Sequence, residues 1–336
     1  MKKLKRIFAV FFCLLLASGI LGGCGKAASS STPAPSASQS GSKPLKIVTT
    51  IFPEYDWVRE ILGDKADHAE VTMLLDNGVD LHSYQPTADD IIKISDCDMF
   101  IYVGGESDGW VEDALKEATN KDMQVLNLLD VLGEQVKEEE VVEGMEAEEE
   151  ESEDEDEPEY DEHVWLSLKN AETLCNAIND ALETIDPANK DVYAANAAAY
   201  LEKLTALDSE YQSVVDHAAR KTVLFGDRFP FRYLVDDYGL SYYAAFAGCS
   251  AETEASFETI SFLAGKVDEL GLPCVLTIEG AQHKIAETIV QNSAAKNQSI
   301  LTLDSMQSTT SADAANGTTY LSVMESNLDV LKQALN

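Results

Sequence analysis

The sequence predicts an α/β protein of two βα lobes with largely parallel sheets, joined by one long rigid helix. Three observations lead there. Short apolar runs alternate with segments of helical spacing, the pattern of βαβ units. That alternation occurs twice, and an alanine-rich stretch without internal Gly or Pro separates the two occurrences. In the first half, residues 45–51 form a β-rich apolar run, 54–62 have helical spacing, 69–75 are again strand-like, 87–95 read as a helix and 99–103 as a strand. In the second half, 222–225 are strand-like, 231–237 helical, 275–278 a strand, 284–291 a helix and 300–303 a strand. Between them, Asp186 is a fitting N-cap and Pro187 suits the first helical position. A helix from there to Ala219 would run roughly 50 Å at 1.5 Å per residue. The boundaries that follow are an N-terminal lobe at 45–185, a connecting helix at 186–219 and a C-terminal lobe at 220–336.

Ahead of the first strand, a basic start, Met1-Lys-Lys-Leu-Lys-Arg6, leads into an apolar stretch from Ile7 to Ile20 and then Leu21-Gly-Gly-Cys24. This is the pattern of a secretory signal, too short for a comfortable spanning helix. The small residues before Cys24 resemble a bacterial lipoprotein cleavage site, so residues 1–23 are expected to be removed and Cys24 lipidated. Residues 24–44, rich in Ser, Ala, Pro and Gly, suit a flexible tether. The body is thus expected on the extracytoplasmic face of the cell membrane, held by the lipid on Cys24. Four further cysteines, Cys97, Cys175, Cys249 and Cys274, show no C-x-x-C spacing, which leaves a cysteine-rich zinc knuckle unsupported. Outside the cytoplasm a disulfide is permitted, and Cys249 with Cys274 is the pair expected, against small buried thiols as the alternative.

The formal net charge is −36, and residues 138–162 hold seventeen acidic side chains. Like charges at that density repel, so residues 137–160 are expected to form a solvated, disordered loop. The charge also argues against nucleic acid, whose phosphates demand a basic face.

Only five histidines are present, and two lie in similar settings: Gly78-Val-Asp-Leu-His-Ser-Tyr-Gln-Pro-Thr87 and Asp161-Glu-His-Val-Trp-Leu-Ser-Leu-Lys-Asn170. Each presents an imidazole among turn residues and aromatics after an apolar run, where rigid frameworks usually place binding groups. Imidazole is the commonest protein ligand for transition metals, which makes His82 and His163 the first candidates for a metal site. Asp80 is a candidate to orient His82 through its other ring nitrogen. His68, between elements in a charged stretch, and His217, near the end of the long helix, are poor candidates.

Those two segments resemble the histidine signatures of the metal-binding proteins that feed ABC importers of zinc and manganese, which read roughly G-V-D-P-H-x-Y-E-P-T and D-P-H-V-W-L-D-P. This chain departs at Leu81, Gln85, Glu162 and Ser167 and keeps both histidines in step. The similarity extends from Thr49-Thr-Ile-Phe-Pro53 through Asp96-Cys-Asp-Met-Phe-Ile-Tyr102 to Tyr320-Leu-Ser-Val-Met-Glu-Ser-Asn-Leu328. The resemblance implies two α/β lobes bridged by one long helix that moves them little, with metal in the cleft. It also implies a monomeric receptor that hands its ion to an ABC permease. Members often carry a His- and acid-rich loop before the second histidine; this chain has the acids alone, so loose collection of cations is set against a solubilising insertion.

The resemblance further implies ligands from the C-terminal lobe. Relatives place a histidine or glutamate after its first strand, where this chain has Phe225-Gly-Asp-Arg-Phe-Pro-Phe-Arg-Tyr233. Asp227 is one candidate there, with an N-cap or a partner of Arg228 as its ordinary role. His283, in Ile278-Glu-Gly-Ala-Gln-His-Lys284, is a second, against a helix-capping surface residue. Asp304, in Leu301-Thr-Leu-Asp-Ser305, matches an aspartate that ligates metal in some members, against an N-cap. Glu252, Glu254 and Glu279 are read as supporting loops around the cleft. Ligation by His283 favours Zn2+ as the cargo; Asp227 in its place makes an oxygen-richer site that tolerates Mn2+ or iron better. A secreted zinc hydrolase is the rival from another class. It lacks support, since no H-E-x-x-H or G-x-S-x-G occurs. A surface adhesin fits the anchor, but no segment argues for it.

Overall fold

The structure, a computed structural model, describes residues 43–146, 159–250, 254–280 and 283–336. The expected signal peptide, Cys24, nearly all of the tether, Glu252 and residues 147–158 of the acidic run lie outside the described residues. Lys43–Asn336 form one compact unit.

Strand β1 (Leu45–Thr49) leads into α1 (Phe52–Leu62), whose Pro53 tolerates the first turn because its missing N–H would be unpaired there anyway. There follow β2 (Ala69–Met73), α2 (Ala88–Asp96), β3 (Met99–Tyr102), α3 (Val111–Lys116), β4 (Gln124–Asn127) and α4 (Leu128–Leu132). The strands pair in the order β2-β1-β3-β4, all parallel, with Leu45 opposite Ala69, Ile47 opposite Met99 and Met99 opposite Gln124. Helices cover the central strands, so Ile47, Val48, Met99, Phe100 and Ile101 are all buried, as a parallel sheet requires. Thr87 starts α2 with a capping box, its hydroxyl accepting from the Asp90 amide while the Asp90 carboxylate accepts from the Thr87 amide.

After α5 (Leu168–Ile185) and α6 (Lys190–His217), the second half runs β5 (Thr222–Leu224), α7 (Arg232–Tyr238), β6 (Ser241–Tyr243), α8 (Phe257–Leu270), β7 (Cys274–Thr277), α9 (Lys284–Asn292), β8 (Ser299–Thr302), α10 (Ser311–Ala315) and α11 (Tyr320–Leu335). β5 pairs with β6 and β7 with β8, both parallel, and a parallel bridge from Phe225 to Leu276 joins the pairs. The resulting order, β6-β5-β7-β8, repeats that of the first half. The expected α/β class with parallel sheets is therefore borne out.

The long helix differs in detail from the sequence expectation. Asp186 ends α5 instead of capping α6, which starts at Lys190. The cause is local: Pro187 cannot continue α5, and the Asp186 carboxylate accepts from Asn189 Nδ2 and the Tyr193 hydroxyl, both at 2.6 Å. At 28 residues α6 is about 42 Å long. Its buried stripe, Tyr193, Ala197, Tyr200, Leu204, Leu207, Tyr211 and Val215, repeats every three or four residues, so one face is apolar throughout. That face meets α1 and α5 of the first half and α11 of the second.

Two further expectations are corrected. Cys249 and Cys274 are free thiols, not a disulfide. Cys274 is buried at the start of β7, packed into the core, while Cys249 lies in a loop elsewhere. The acidic segment is not wholly a solvated loop: its described start, residues 138–146, folds onto the body. Glu138 bridges Tyr160, the Glu146 amide donates to Ala245 O at 3.0 Å, and Val142 and Met145 pack against the core. Interspersed apolar groups and backbone pairing overcome the repulsion that composition alone would predict.

Two buried carboxyls on α1 make stability depend on pH. Glu54, fully buried, accepts from the Thr50 amide at 2.7 Å and from the Thr50 hydroxyl, and burial pushes it up to about 8. Burial likewise pushes Asp56, which accepts from the Tyr320 amide, up to about 7. Both are raised above their unfolded values, so the stability they contribute is fully present below about pH 4 and is lost as pH rises toward 8. The melting temperature is expected to fall between pH 5 and 8, and the Glu54→Gln/Asp56→Asn variant to show a shallower fall. Identical slopes for both proteins would refute this account.

Candidate metal centre

Two short turns present the histidines. Leu81, fully buried, anchors a 3₁₀ turn (Leu81–Ser83) whose N-cap, Asp80, accepts from the His82 amide at 3.0 Å. The second histidine is fixed by one carboxylate: Asp161 Oδ1 accepts from the His163 amide at 2.8 Å and lies 3.0 Å from its Nδ1. Behind it, the 3₁₀ turn Val164–Leu166 is completely buried. Trp165 Nε1 donates to Ser305 O at 2.8 Å, and its ring lies 5.2 Å from that of His163.

These turns bring the two rings together, with Nε2 of His82 and Nε2 of His163 3.2 Å apart. Two nitrogens held at about 2.0–2.1 Å from a tetrahedral zinc ion stand about 3.4 Å apart, so the pair is spaced for one ion. The Nδ1 atoms are occupied elsewhere: that of His163 by Asp161, that of His82 by Ser107 Oγ at 2.8 Å with Glu162 Oε2 at 3.4 Å. Holding the far nitrogen by a carboxylate or hydroxyl fixes ring orientation and raises ligand basicity. Asp80 does not perform that service for His82, contrary to the sequence expectation; it holds the backbone. Ser107 performs it, with the carboxylate of Glu162, one of the positions where the chain departs from the motif it resembles, close by at 3.4 Å. Glu162 Oε1 accepts from the Ser107 amide at 2.9 Å, against Gly105 at φ +80, where a Cβ would stand 2.3 Å from that oxygen.

Charge around the rings is dense. Burial pushes Glu162 up, but hydrogen bonds from His82 and Ser107 outweigh it and hold the carboxylate below its usual range. Burial would lower His163, yet the Asp161 carboxylate raises it overall. Asp80 pairs with Arg228, which together with His82 holds it below the usual range against burial. Arg228 Nη1 also donates to Ser250 O at 3.4 Å.

A third side chain stands beside the histidines that sequence reading had assigned elsewhere. One nitrogen from each of His82 and His163 and the sulfur of Cys249 lie within 4.8 Å of one another. The Cys249 amide donates to Glu139 Oε1 at 3.0 Å. Burial, then the carboxylates of Asp161, Glu139 and Glu162, push its thiol far up.

The other expected ligands do not join this group. Asp227 is occupied by the amides of Arg228 and, at 3.4 Å, Ile278, and burial raises it. His283 is the N-cap residue of α9, with a buried Nδ1 that has no hydrogen-bond partner. Asp304 accepts from the Met306 amide at 2.7 Å, and burial with neighbouring Glu279 pushes it up to about 6. Glu279 ties Ser305 and Gln307. His68 and His217 are exposed, as expected of surface residues.

Comparison with known proteins agrees with this picture. The family described as zinc-uptake complex component A, periplasmic (ZnuA), matches residues 47–334. Over 290 residues the chain is 33% identical to the zinc-binding lipoprotein AdcA of Streptococcus pneumoniae TIGR4, covering 86% of this chain and 55% of AdcA. It thus spans about half the length of that relative. Against the high-affinity zinc uptake system protein ZnuA of Bacillus subtilis it is 32% identical over 337 residues, covering 99% and 98% of the two chains. The crystal structure of the Zn(II)-bound ZnuA-like domain of S. pneumoniae AdcA superposes with a TM-score of 0.67 at 30% identity, covering 87% of this chain and 98% of that one.

Proposed function

The chain belongs to the family of zinc-uptake complex component A periplasmic proteins, and from that premise we propose that it is an extracytoplasmic, high-affinity zinc receptor that delivers its ion to an ABC import permease. The family consists of substrate-binding proteins of zinc transport, not enzymes. The observation that carries the reading is the pair of imidazoles whose Nε2 atoms face each other at 3.2 Å while each Nδ1 is held by its own carboxylate or hydroxyl. His82 and His163 are the proposed ligands of the cargo. The relatives' names support zinc, and a manganese or iron receptor of the same type is the alternative. Cys24, directly after Leu21-Gly-Gly, is the proposed lipidation site; the name of the pneumococcal relative, a lipoprotein, supports it. A monomer tethered outside the membrane is part of the same proposal.

Native mass spectrometry of protein loaded from equimolar zinc and manganese is expected to show one zinc per chain. Adding the loaded protein to the permease in vesicles is expected to stimulate ATP hydrolysis. A manganese-loaded product would move the assignment to the alternative.

A further inference from the structure

We infer that the Cys249 thiolate is the third donor to the ion held by His82 and His163, which makes the cargo a thiophilic divalent cation. The inference deepens the proposed function and rests on it. Among the described residues, His82, His163 and Cys249 are the one group of histidine, cysteine and carboxylate side chains whose candidate ligand atoms all lie within 4.8 Å of one another. In a tetrahedral zinc site with Zn–N of about 2.05 Å and Zn–S of about 2.3 Å, nitrogen and sulfur stand about 3.6 Å apart, so only a small closing movement is required.

The loop that carries Cys249 is built against the histidines. Gly248 lies so close to the His163 ring that a Cβ there would stand 3.1 Å from Cε1 and Nδ1, and 2.9 Å from Phe229 O. The next residue is thereby delivered to the ring edge. On one side the Cys249 amide is tied to Glu139; on the other, Arg228 spans from Ser250 O to Asp80, the N-cap of the turn bearing His82. The same guanidinium therefore connects the loops of two proposed donors. Of the four described cysteines, Cys97, Cys175 and Cys274 are buried, and Cys249 is only partly so. Binding exchanges the S–H bond for a sulfur–metal bond and releases the thiol proton. A thiolate favours zinc and disfavours manganese, whose preferred ligands are oxygens.

The test uses the full chain, metal-free and reduced, with cobalt(II) as a spectroscopic probe. The wild-type complex is expected to show a sulfur-to-cobalt charge-transfer band in the near ultraviolet. Cys249→Ser is expected to lose that band, to weaken zinc by about tenfold or more and by a larger factor than manganese, and to leave the metal-free melting temperature nearly unchanged. Asp227→Asn and His283→Ala are expected to keep the band. Should Cys249→Ser fail to fold, zinc must instead protect Cys249 of the wild type from alkylation. A cobalt complex without the band, unchanged zinc affinity in Cys249→Ser, or alkylation indifferent to zinc overturns the inference. If those results accompany zinc binding that is lost in His82→Ala, the receptor function survives; if His82→Ala and His163→Ala both keep full zinc affinity, the function itself falls.

Discussion

His163→Ala is expected to reduce zinc affinity by about a hundredfold or more, with His82→Ala close behind. Even residues that only support a metal ligand typically cost ten- to a hundredfold when removed, and a direct ligand should cost no less. His163 is the stronger case because it is completely buried and its ring is fixed twice, by Asp161 on Nδ1 and by packing against Trp165. Removing the imidazole also leaves buried Asp161 with the backbone amide of residue 163 but without the ring that faced it. His82 is slightly more open, and its supports, Ser107 and Glu162, remain hydrogen-bonded to each other without it. Competition against a zinc chelator measures both. Retention of affinity within about threefold by either variant would remove that histidine from the site.

Trp165→Ala is expected to cost about 3–5 kcal/mol of stability, the range for truncating a large buried aromatic. The side chain is fully buried, its Nε1 donates to Ser305 O at 2.8 Å, and its carbonyl accepts from the Tyr320 hydroxyl at 2.7 Å. One residue thus links the turn that carries His163 to two segments of the second half. Trp165→Phe keeps most of the volume and leaves the Ser305 carbonyl without its donor, at a cost of about 1–3 kcal/mol. Zinc affinity should fall as well, since the cavity opens beside the His163 ring. Denaturant unfolding read at an unchanged m-value gives the energies. A loss below about 1 kcal/mol for the alanine variant would show that the site can collapse around the gap.

The fold and the histidine pair were legible for a physical reason. Buried parallel strands leave continuous apolar runs, and both histidine turns carry a local motif whose residues do their work within a few positions: Asp80 for His82, Asp161 for His163. The third side chain was not legible. Cys249 lies in Ala247-Gly-Cys-Ser250 with no second cysteine or histidine at ligand spacing, and its position is set by the approach of Gly248 to His163, a contact far apart in sequence. The glycine before the cysteine was the one available signal. Asp227, His283 and Asp304 were candidates because the resemblance calls for donors from the C-terminal lobe; in the structure backbone amides donate to Asp227 and Asp304, and none of the three stands with His82 and His163. The folded start of the acidic segment could have been suspected from Val141, Val142 and Met145, whose apolar surface a charge count ignores. β4 and β6 went unseen because each lies at the edge of its strand order with polar, half-exposed residues, which leaves no continuous apolar run to read.

The single pillar of α6 also bears on how the protein comes apart. Tyr211 donates to Met324 O at 2.6 Å and Asn196 to Ile61 O at 3.0 Å, so the same 28-residue helix closes the hydrophobic contacts of both sheets. Neither half can melt without exposing the face of α6 that the other half needs. Lys43–Asn336 should therefore unfold in one cooperative transition, with the α6 amides among the slowest to exchange with solvent and both halves sharing one opening free energy. An ion gripped by His82 and His163 would then slow exchange in α11 as much as in α1, far from any atom it touches.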